Sequence, residues 1–141
     1  MNYLLDTCVI SELIKKYPDS KVIQWISDIE EAHLFISVLT MGELHKGIEK
    51  LTESKKKNKL HKWVTYDMKK RFQNKIIDFD LHTATIWGKI QAKSEMSGQK
   101  LPAIDSLIAA TGISHDLIVV TRNTKDMENS GVDLLNPWAI K

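Results

Sequence analysis

Four short apolar runs, each followed by a stretch with helical periodicity, constrain this chain more than any other feature. They are Tyr3-Leu4-Leu5, Leu34 to Val38, Ile76 to Phe79 and Leu117 to Thr121, with a last one at Val132 to Leu135. A strand that is apolar at successive positions has no wet face, so both of its faces must be covered. The intervening segments can do the covering. Val9, Ile10, Leu13 and Ile14 recur at helical spacing after Thr7, and Pro18 stops that helix. Val22, Ile23, Trp25, Ile26 and Ile29 form a second helix after Asp19 or Ser20. Thr40 opens a third carrying Leu44, Ile48 and Leu51, and Ser54 to about Phe72 reads as a long basic helix with Leu60, Trp63, Val64 and Met68 inward. Asp80 caps a helix through Ile86, Trp87 and Ile90 to near Gly98. Pro102 sits where a first helical turn accepts it, ahead of Ile104, Leu107, Ile108 and Ala109. The expected fold class is α/β: a mostly parallel sheet of four or five strands with helices on both faces, in one domain over residues 1–141. Ligands of such sheets gather beyond the carboxyl ends of the strands. The acids to weigh are therefore those at strand ends and at the helix starts that follow.

Composition narrows the class without choosing a function. With 43% hydrophobic and 27% charged residues, the 141-residue chain is neither disordered nor fibrous. Its one cysteine, Cys8, excludes an internal disulfide framework and fits a reducing compartment. No apolar run approaches the roughly 20 residues of a membrane span. No basic leader precedes Asp6, so no signal peptide is expected and the expected location is cytoplasmic. The five histidines lack zinc-like spacing with one another or with Cys8. Gly-rich phosphate or dinucleotide motifs and a GxSxG elbow are absent. The net charge of +2 is unevenly placed: Lys46 to Lys75 holds eleven basic residues against three acids, a local +8, while the remainder carries −6. A basic segment beside an acidic remainder can hold a polyanion at one place and a cation at another, although a Lys-rich stretch reads equally as the solvated face of a helix.

Among the acids, Asp6 ends the first strand, where on position alone it reads first as a helix N-cap. Glu43 stands three residues after Thr40, the spacing of a capping box in which its carboxylate folds back onto the Thr40 N–H. Asp105 is different. It lies between Ile104 and Leu107 in an otherwise apolar helix start, and a lone carboxylate in such surroundings is costly without a counter-charge. The small residues after it let that helix pack close to the sheet. Asn123 and Asp126 follow the last long strand and reach the same rim, or form an ordinary polar loop in which Thr124 caps a short helix. Several acids meeting at one rim repel one another unless cations lie between them, and oxygen-only ligation selects hard ions such as Mg²⁺ or Mn²⁺.

The stretches Leu4-Leu5-Asp6-Thr7-Cys8-Val9-Ile10-Ser11-Glu12, Ser37-Val38-Leu39-Thr40-Met41-Gly42-Glu43-Leu44 and Ile104-Asp105-Ser106-Leu107-Ile108-Ala109-Ala110-Thr111 resemble the signatures of PIN-domain nucleases. The tail from Val119-Val120-Thr121-Arg122-Asn123-Thr124-Lys125-Asp126 to Asn136-Pro137-Trp138 is similar to the VapC branch, including its FitB-like members. The resemblance spans essentially the whole chain with its blocks in order. It implies a PIN-like α/β/α sandwich and Mg²⁺- or Mn²⁺-dependent RNA cleavage. It also implies the toxin role in a type II toxin–antitoxin pair, a homodimer, inhibition by a VapB-like antitoxin, and larger assemblies with antitoxin and operator DNA. The family's acidic positions fall on Asp6, Glu43 and Asp105, with Asp6 and Asp105 holding the metal directly. The fourth position falls to Asn123 or Asp126, and the Thr7 and Thr121 hydroxyls hold water or orient ligands. Where relatives carry Asn or Ser, Cys8 reads as a small packing residue. Candidate RNA contacts are Lys55, Lys56, Lys57, Lys59, Lys62 and Arg122. No clear aromatic stacking platform is visible.

Two rivals stand beside this reading. A phosphatase-like α/β enzyme also begins with an acid after its first strand, but Cys8 occupies the second position of the DxD pattern that those enzymes carry. A non-catalytic module of the same fold would bind RNA without cutting it, and Asn123 is its main support.

Overall fold

The computed structural model describes all 141 residues. Five parallel strands form the sheet in the order β3-β2-β1-β4-β5. They are β1 (Tyr3–Leu5), β2 (Leu34–Ser37), β3 (Ile76–Ile77), β4 (Ile118–Val120) and β5 (Leu134–Leu135). β1 is central, pairing Leu4 with Phe35 on one side and with Val119 on the other. The helices are α1 (Thr7–Leu13), α2 (Ser20–Asp28), α3 (Val38–Glu49), α4 (Lys55–Lys62), α5 (Met68–Arg71), α6 (Leu81–Met96), α7 (Ala103–Ser114) and α8 (Thr124–Met127). None is long and apolar enough to cross a membrane.

The successive apolar positions in the strands work as the sequence implies. Leu4 and Leu5 are both fully buried, yet they belong to opposite cores. Leu5, Ile36 and Val120 face one layer with Val9 and Ile10 of α1, Val22 of α2, Leu44 of α3, and Val64, Met68 and Phe72 from the segment that follows α4. Leu4 and Val119 face the other with Ile108, Ala109, Met127 and Val132. The second layer is thin because α7 presents small residues. A Cβ on Gly112 would lie 2.7 Å from Val119 Cγ2 and 2.8 Å from Val132 Cγ2, so only glycine admits this close approach of helix to sheet.

The strands β3, β4 and β5 are shorter than the runs Ile76 to Phe79, Leu117 to Thr121 and Val132 to Leu135 that were expected to form them, and two further departures have a local reason. β2 stops at Ser37, whose hydroxyl caps α3 by accepting the Leu39 N–H at 3.0 Å, so Val38 opens the helix. The long basic helix begins, as expected, after the Ser54 cap, but a π-helical turn at Trp63–Asp67 joins α4 to α5. Its inward residues Leu60, Val64, Met68 and Phe72 recur every four positions. On a regular α-helix each such step overshoots a full turn by about 40°, and the wider π turn brings the row back onto the core.

Candidate active site

Asp6 leaves β1 at its carboxyl end and is 4% exposed. Its own N–H still donates to the Val120 carbonyl at 3.0 Å, so strand pairing carries the residue right to the rim. One carboxylate oxygen accepts the Thr7 N–H at 2.8 Å, and the other accepts the Thr121 hydroxyl at 2.8 Å. Thr121, itself fully buried, stands one residue beyond β4. The ends of the two central strands are thus tied through side chains. Burial pushes the Asp6 carboxyl above its ordinary value, and the bonds from Thr121, Thr7 and Cys8 oppose that push.

Glu43 reaches the same place from α3. The expected capping box is not formed: Ser37 caps the helix, Thr40 is its third residue and is fully buried, and Glu43 turns away from the backbone. Glu43 Oε1 accepts the Thr7 hydroxyl at 2.6 Å, and the Thr40 hydroxyl lies 3.3 Å from that of Thr7. Thr7 therefore links two acids, with its amide on Asp6 and its hydroxyl on Glu43.

Asp105 is the third residue of α7, half-buried in the first turn. Its carboxyl is pushed up to about 6, by burial first and then by the charges of Asp6, Asp126 and Glu43 in that order. Four carboxylates from β1, α3, α7 and α8 thus share one electrostatic neighbourhood. The turn that carries Asp105 is anchored from behind. Buried Ser106 accepts the Trp87 indole N–H and the Gln91 amide, each at 3.0 Å, and its hydroxyl donates to the Ala103 carbonyl at 2.6 Å. Asn123 and Asp126 are both exposed. The Asn123 N–H donates to Thr121 Oγ1 at 3.0 Å, and the Asn123 side chain does not cap α8. The charge that reaches Asp105 from this loop is that of Asp126.

The donors at the rim are oxygens without a histidine among them, which suits a hard divalent cation. No three His, Cys, Asp or Glu side chains close into a tight cage. Such an open set fits an ion that keeps several of its own waters, as Mg²⁺ does.

Two residues belong to this neighbourhood in ways the sequence did not show. Cys8, expected as a packing residue, does pack. However, its Sγ also lies 3.9 Å from Asp6 Oδ2 and 3.6 Å from the Thr121 hydroxyl, and it accepts the Arg122 N–H at 3.5 Å. Burial and then the Asp6 charge push the thiol up, so it stays neutral. Glu12 is buried at 3% exposure on α1 and was not singled out, since an acid in an amphipathic helix reads as surface. Its one signal was the three-residue step from inward-facing Val9.

The basic residues divide. Lys57 is tied to Glu53 at 3.0 Å. Lys56, Lys59 and Lys62 line an open cleft of about 490 Å³ with Ile14, Leu60 and Trp63. Those last three also line a smaller cleft, about 190 Å³, that includes Thr7 and Glu43. The lysine-lined cleft therefore adjoins the one that reaches Glu43, with Trp63 in the shared wall. Lys55 is exposed on the same helix. Arg122, a candidate RNA contact, lies 4.2 Å over the Trp138 ring and 3.6 Å from Glu12, with its side chain 52% exposed.

Comparison with known proteins agrees with this architecture. The PIN domain family profile matches residues 3–129. Toxin FitB of Neisseria gonorrhoeae is 35% identical over 135 residues, covering 96% of this chain and 97% of that one. VapC ribonuclease Y4jK of Sinorhizobium fredii is 32% identical over 135 residues, covering 96% of each. The structure of FitAB bound to an IR36 DNA fragment superimposes with a TM-score of 0.93 at 32% identity, covering 99% of this chain and 97% of that one. With the family profile over nine-tenths of its length and relatives this similar from end to end, the chain belongs to the PIN-domain family.

Proposed function

We propose that this protein is the toxin of a type II toxin–antitoxin pair and a divalent-metal-dependent endoribonuclease, with residues 1–141 forming one nuclease domain. The observation that carries the reading is the gathering of Asp6, Glu43, Asp105 and Asp126 at the carboxyl edge of the sheet, where burial first and then the charges of the other three push Asp105 up to about 6. A neutral-pH protein keeps such a repulsive cluster when a cation occupies it in function.

Asp6 and Asp105 would hold the ion, Glu43 and Asp126 extend the shell, and Asn123 can offer its amide oxygen. When bound, a Mg²⁺ or Mn²⁺ ion supplies Lewis-acid neutralisation of the phosphate and makes water a competent nucleophile near neutral pH. The chain's residues set the stage for that chemistry. Thr121 and the Thr7 amide fix the Asp6 carboxylate, the Thr7 hydroxyl fixes Glu43, and Ser106 with Trp87 and Gln91 fixes the turn bearing Asp105. Water attacks phosphorus and the bond to the 3′ oxygen breaks, leaving a 5′-phosphate and a 3′-hydroxyl. Lys55, Lys56, Lys59 and Lys62 attract the RNA backbone along the cleft that leads to the acids.

The partners follow from relatives. One is named a toxin, another a VapC ribonuclease, and one structure holds the FitAB pair on DNA. We therefore assign this chain a VapB-like antitoxin, a homodimeric state, an operator-bound complex with that antitoxin, and a cytoplasmic location.

The test is cleavage of total bacterial RNA by antitoxin-free protein with Mg²⁺ or Mn²⁺, beside EDTA and Asp105→Asn lanes. Discrete fragments that vanish in both controls are expected. RNA that is bound yet intact at saturating Mn²⁺ would replace this reading with that of a non-catalytic PIN module.

A further inference from the structure

Glu12 is a buried carboxylate that the chemistry at the rim does not use, and the groups around it come from three separate segments. The Lys15 ammonium donates to one oxygen at 2.9 Å and the Asp19 N–H to the other at 2.9 Å. Arg122 Nη2 approaches from the loop after β4 at 3.6 Å. The Glu12 carboxyl is held below its ordinary value, by the Lys15 bond first and then by the Asp19 N–H. It therefore remains an anion, and a buried anion needs its cations held in place. The same guanidinium also lies over the Trp138 ring, its carbon 4.2 Å from the ring centroid. A guanidinium engaged by both a carboxylate and an indole ring loses part of its freedom to follow a phosphate.

What Arg122 fixes lies on either side of it in the chain. Thr121, one residue before, donates its hydroxyl to Asp6. Asn123, one residue after, donates its N–H back to that hydroxyl oxygen. The Arg122 amide donates to Cys8 Sγ in the first turn of α1. The Asp126 N–H bonds the Asn123 carbonyl at 3.1 Å, so the start of α8 hangs from the same turn. Apart from its pairing with β5, the turn from Thr121 to Asp126 touches the acid rim through single hydrogen bonds, and one of those is to sulfur. Its one charged tether to α1 is Arg122 on Glu12.

We propose that Glu12, Arg122 and Trp138 form a latch that positions the post-β4 turn against α1, so that Arg122 is a positioning residue for the acid cluster and not an RNA contact. The proposal rests on the ribonuclease reading for its kinetic consequences but not for its structural ones. Arg122→Lys is the informative change, because lysine keeps the attraction for phosphate but loses the planar stack and the fork. A latch predicts that Arg122→Lys and Arg122→Ala both lower kcat by about tenfold with KM within about twofold, since small misplacements of reacting groups weigh on the chemical step. Glu12→Gln, which keeps an oxygen for the Asp19 N–H, should act in the same direction. Glu12→Gln combined with Arg122→Ala should be no slower than Arg122→Ala alone.

Amide exchange supplies a readout independent of activity. In protein shown by circular dichroism to be folded, Arg122→Ala and Glu12→Gln should raise exchange at residues 121–126 by about tenfold while leaving β1 protected. Unchanged exchange in both variants overturns the latch whether or not the protein cuts RNA. A higher KM for Arg122→Ala at unchanged kcat, restored by Arg122→Lys, overturns it in favour of direct RNA contact. If wild-type protein cuts nothing under any divalent ion, the ribonuclease reading fails and the exchange result alone decides the latch.

Discussion

The acid rim and the basic helix carry opposite charges under opposite conditions. At the rim, Asp6 is 4% exposed and Asp105 is half-buried; hydroxyls brace Asp6 and Glu43, and Asp105 feels the charges of its neighbours. On α4, Lys55, Lys56, Lys59 and Lys62 stand in solvent. The difference teaches that desolvation, rather than the number of charges, decides where electrostatics becomes expensive. At half-buried Asp105, desolvation and then the charges of Asp6, Asp126 and Glu43 raise the carboxyl together. Four lysines spread over a solvated helix are screened within about 10 Å by ordinary salt.

The comparison breaks most sharply at Asp105. Asp105→Asn should lower RNA cleavage by at least about 100-fold, because a charge aimed at the reacting centre is lost. The same substitution should raise the melting temperature of the metal-free protein, since it relieves repulsion. A variant that loses activity and stability together would mean that Asp105 is a structural residue.

Replacing Lys56, Lys59 and Lys62 together by alanine tests the other pole. The expected result is a KM raised by about tenfold at moderate salt, with a log–log salt slope shallower by about 2 and kcat nearly unchanged. An equal fall in kcat would place these lysines in the chemistry rather than in capture.

The pH dependence of stability sharpens the contrast further. A carboxyl whose folded value is raised to about 6 from its ordinary 3.8 binds its proton more tightly when folded. Its destabilising contribution is complete above pH 6 and is relieved as the pH falls through 6 toward 4. Metal-free wild type should therefore gain on Asp105→Asn in thermal melts as the pH drops from 7 to 5, and added Mn²⁺ should stabilise it more at pH 7 than at pH 5. A constant gap between the two proteins would contradict the crowding described for Asp105.

The smallest effect belongs to the paired lysine. Lys57→Ala removes a surface ion pair with Glu53 and should cost about 0.5 kcal/mol or less by urea denaturation.

Much of this was legible in the residues, and what was not has identifiable causes. Runs that are apolar at successive positions, such as Leu4-Leu5 and Val119-Val120, announce a sheet covered on both sides, and that is the sheet found. Asp105 stood out because it is an acid in apolar company. Glu43 illustrates the opposite case: Thr-x-x-Glu spacing suggested a local bond to Thr40, whereas Ser37 had already capped the helix and freed the side chain to reach Thr7, 36 residues away in sequence. Glu12 and the role of Arg122 were hidden for a similar reason. Their partners are joined by tertiary packing alone, between segments 110 residues apart, and no short-range pattern encodes that. The π turn is written in the four-residue spacing of Leu60, Val64, Met68 and Phe72, but apolar content alone does not reveal the drift.

The position of β1 at the centre of the sheet has a consequence for how the protein is made. Asp6 is completed by Thr121, 115 residues further along the chain, through a strand pairing that cannot form until β4 exists. Such long-range parallel pairing makes for slow folding, with closure of the long loop preceding the contacts that reward it. A nascent chain therefore carries three of its four acids well before it can hold them together. The acid rim therefore assembles only after nearly the whole chain has been made.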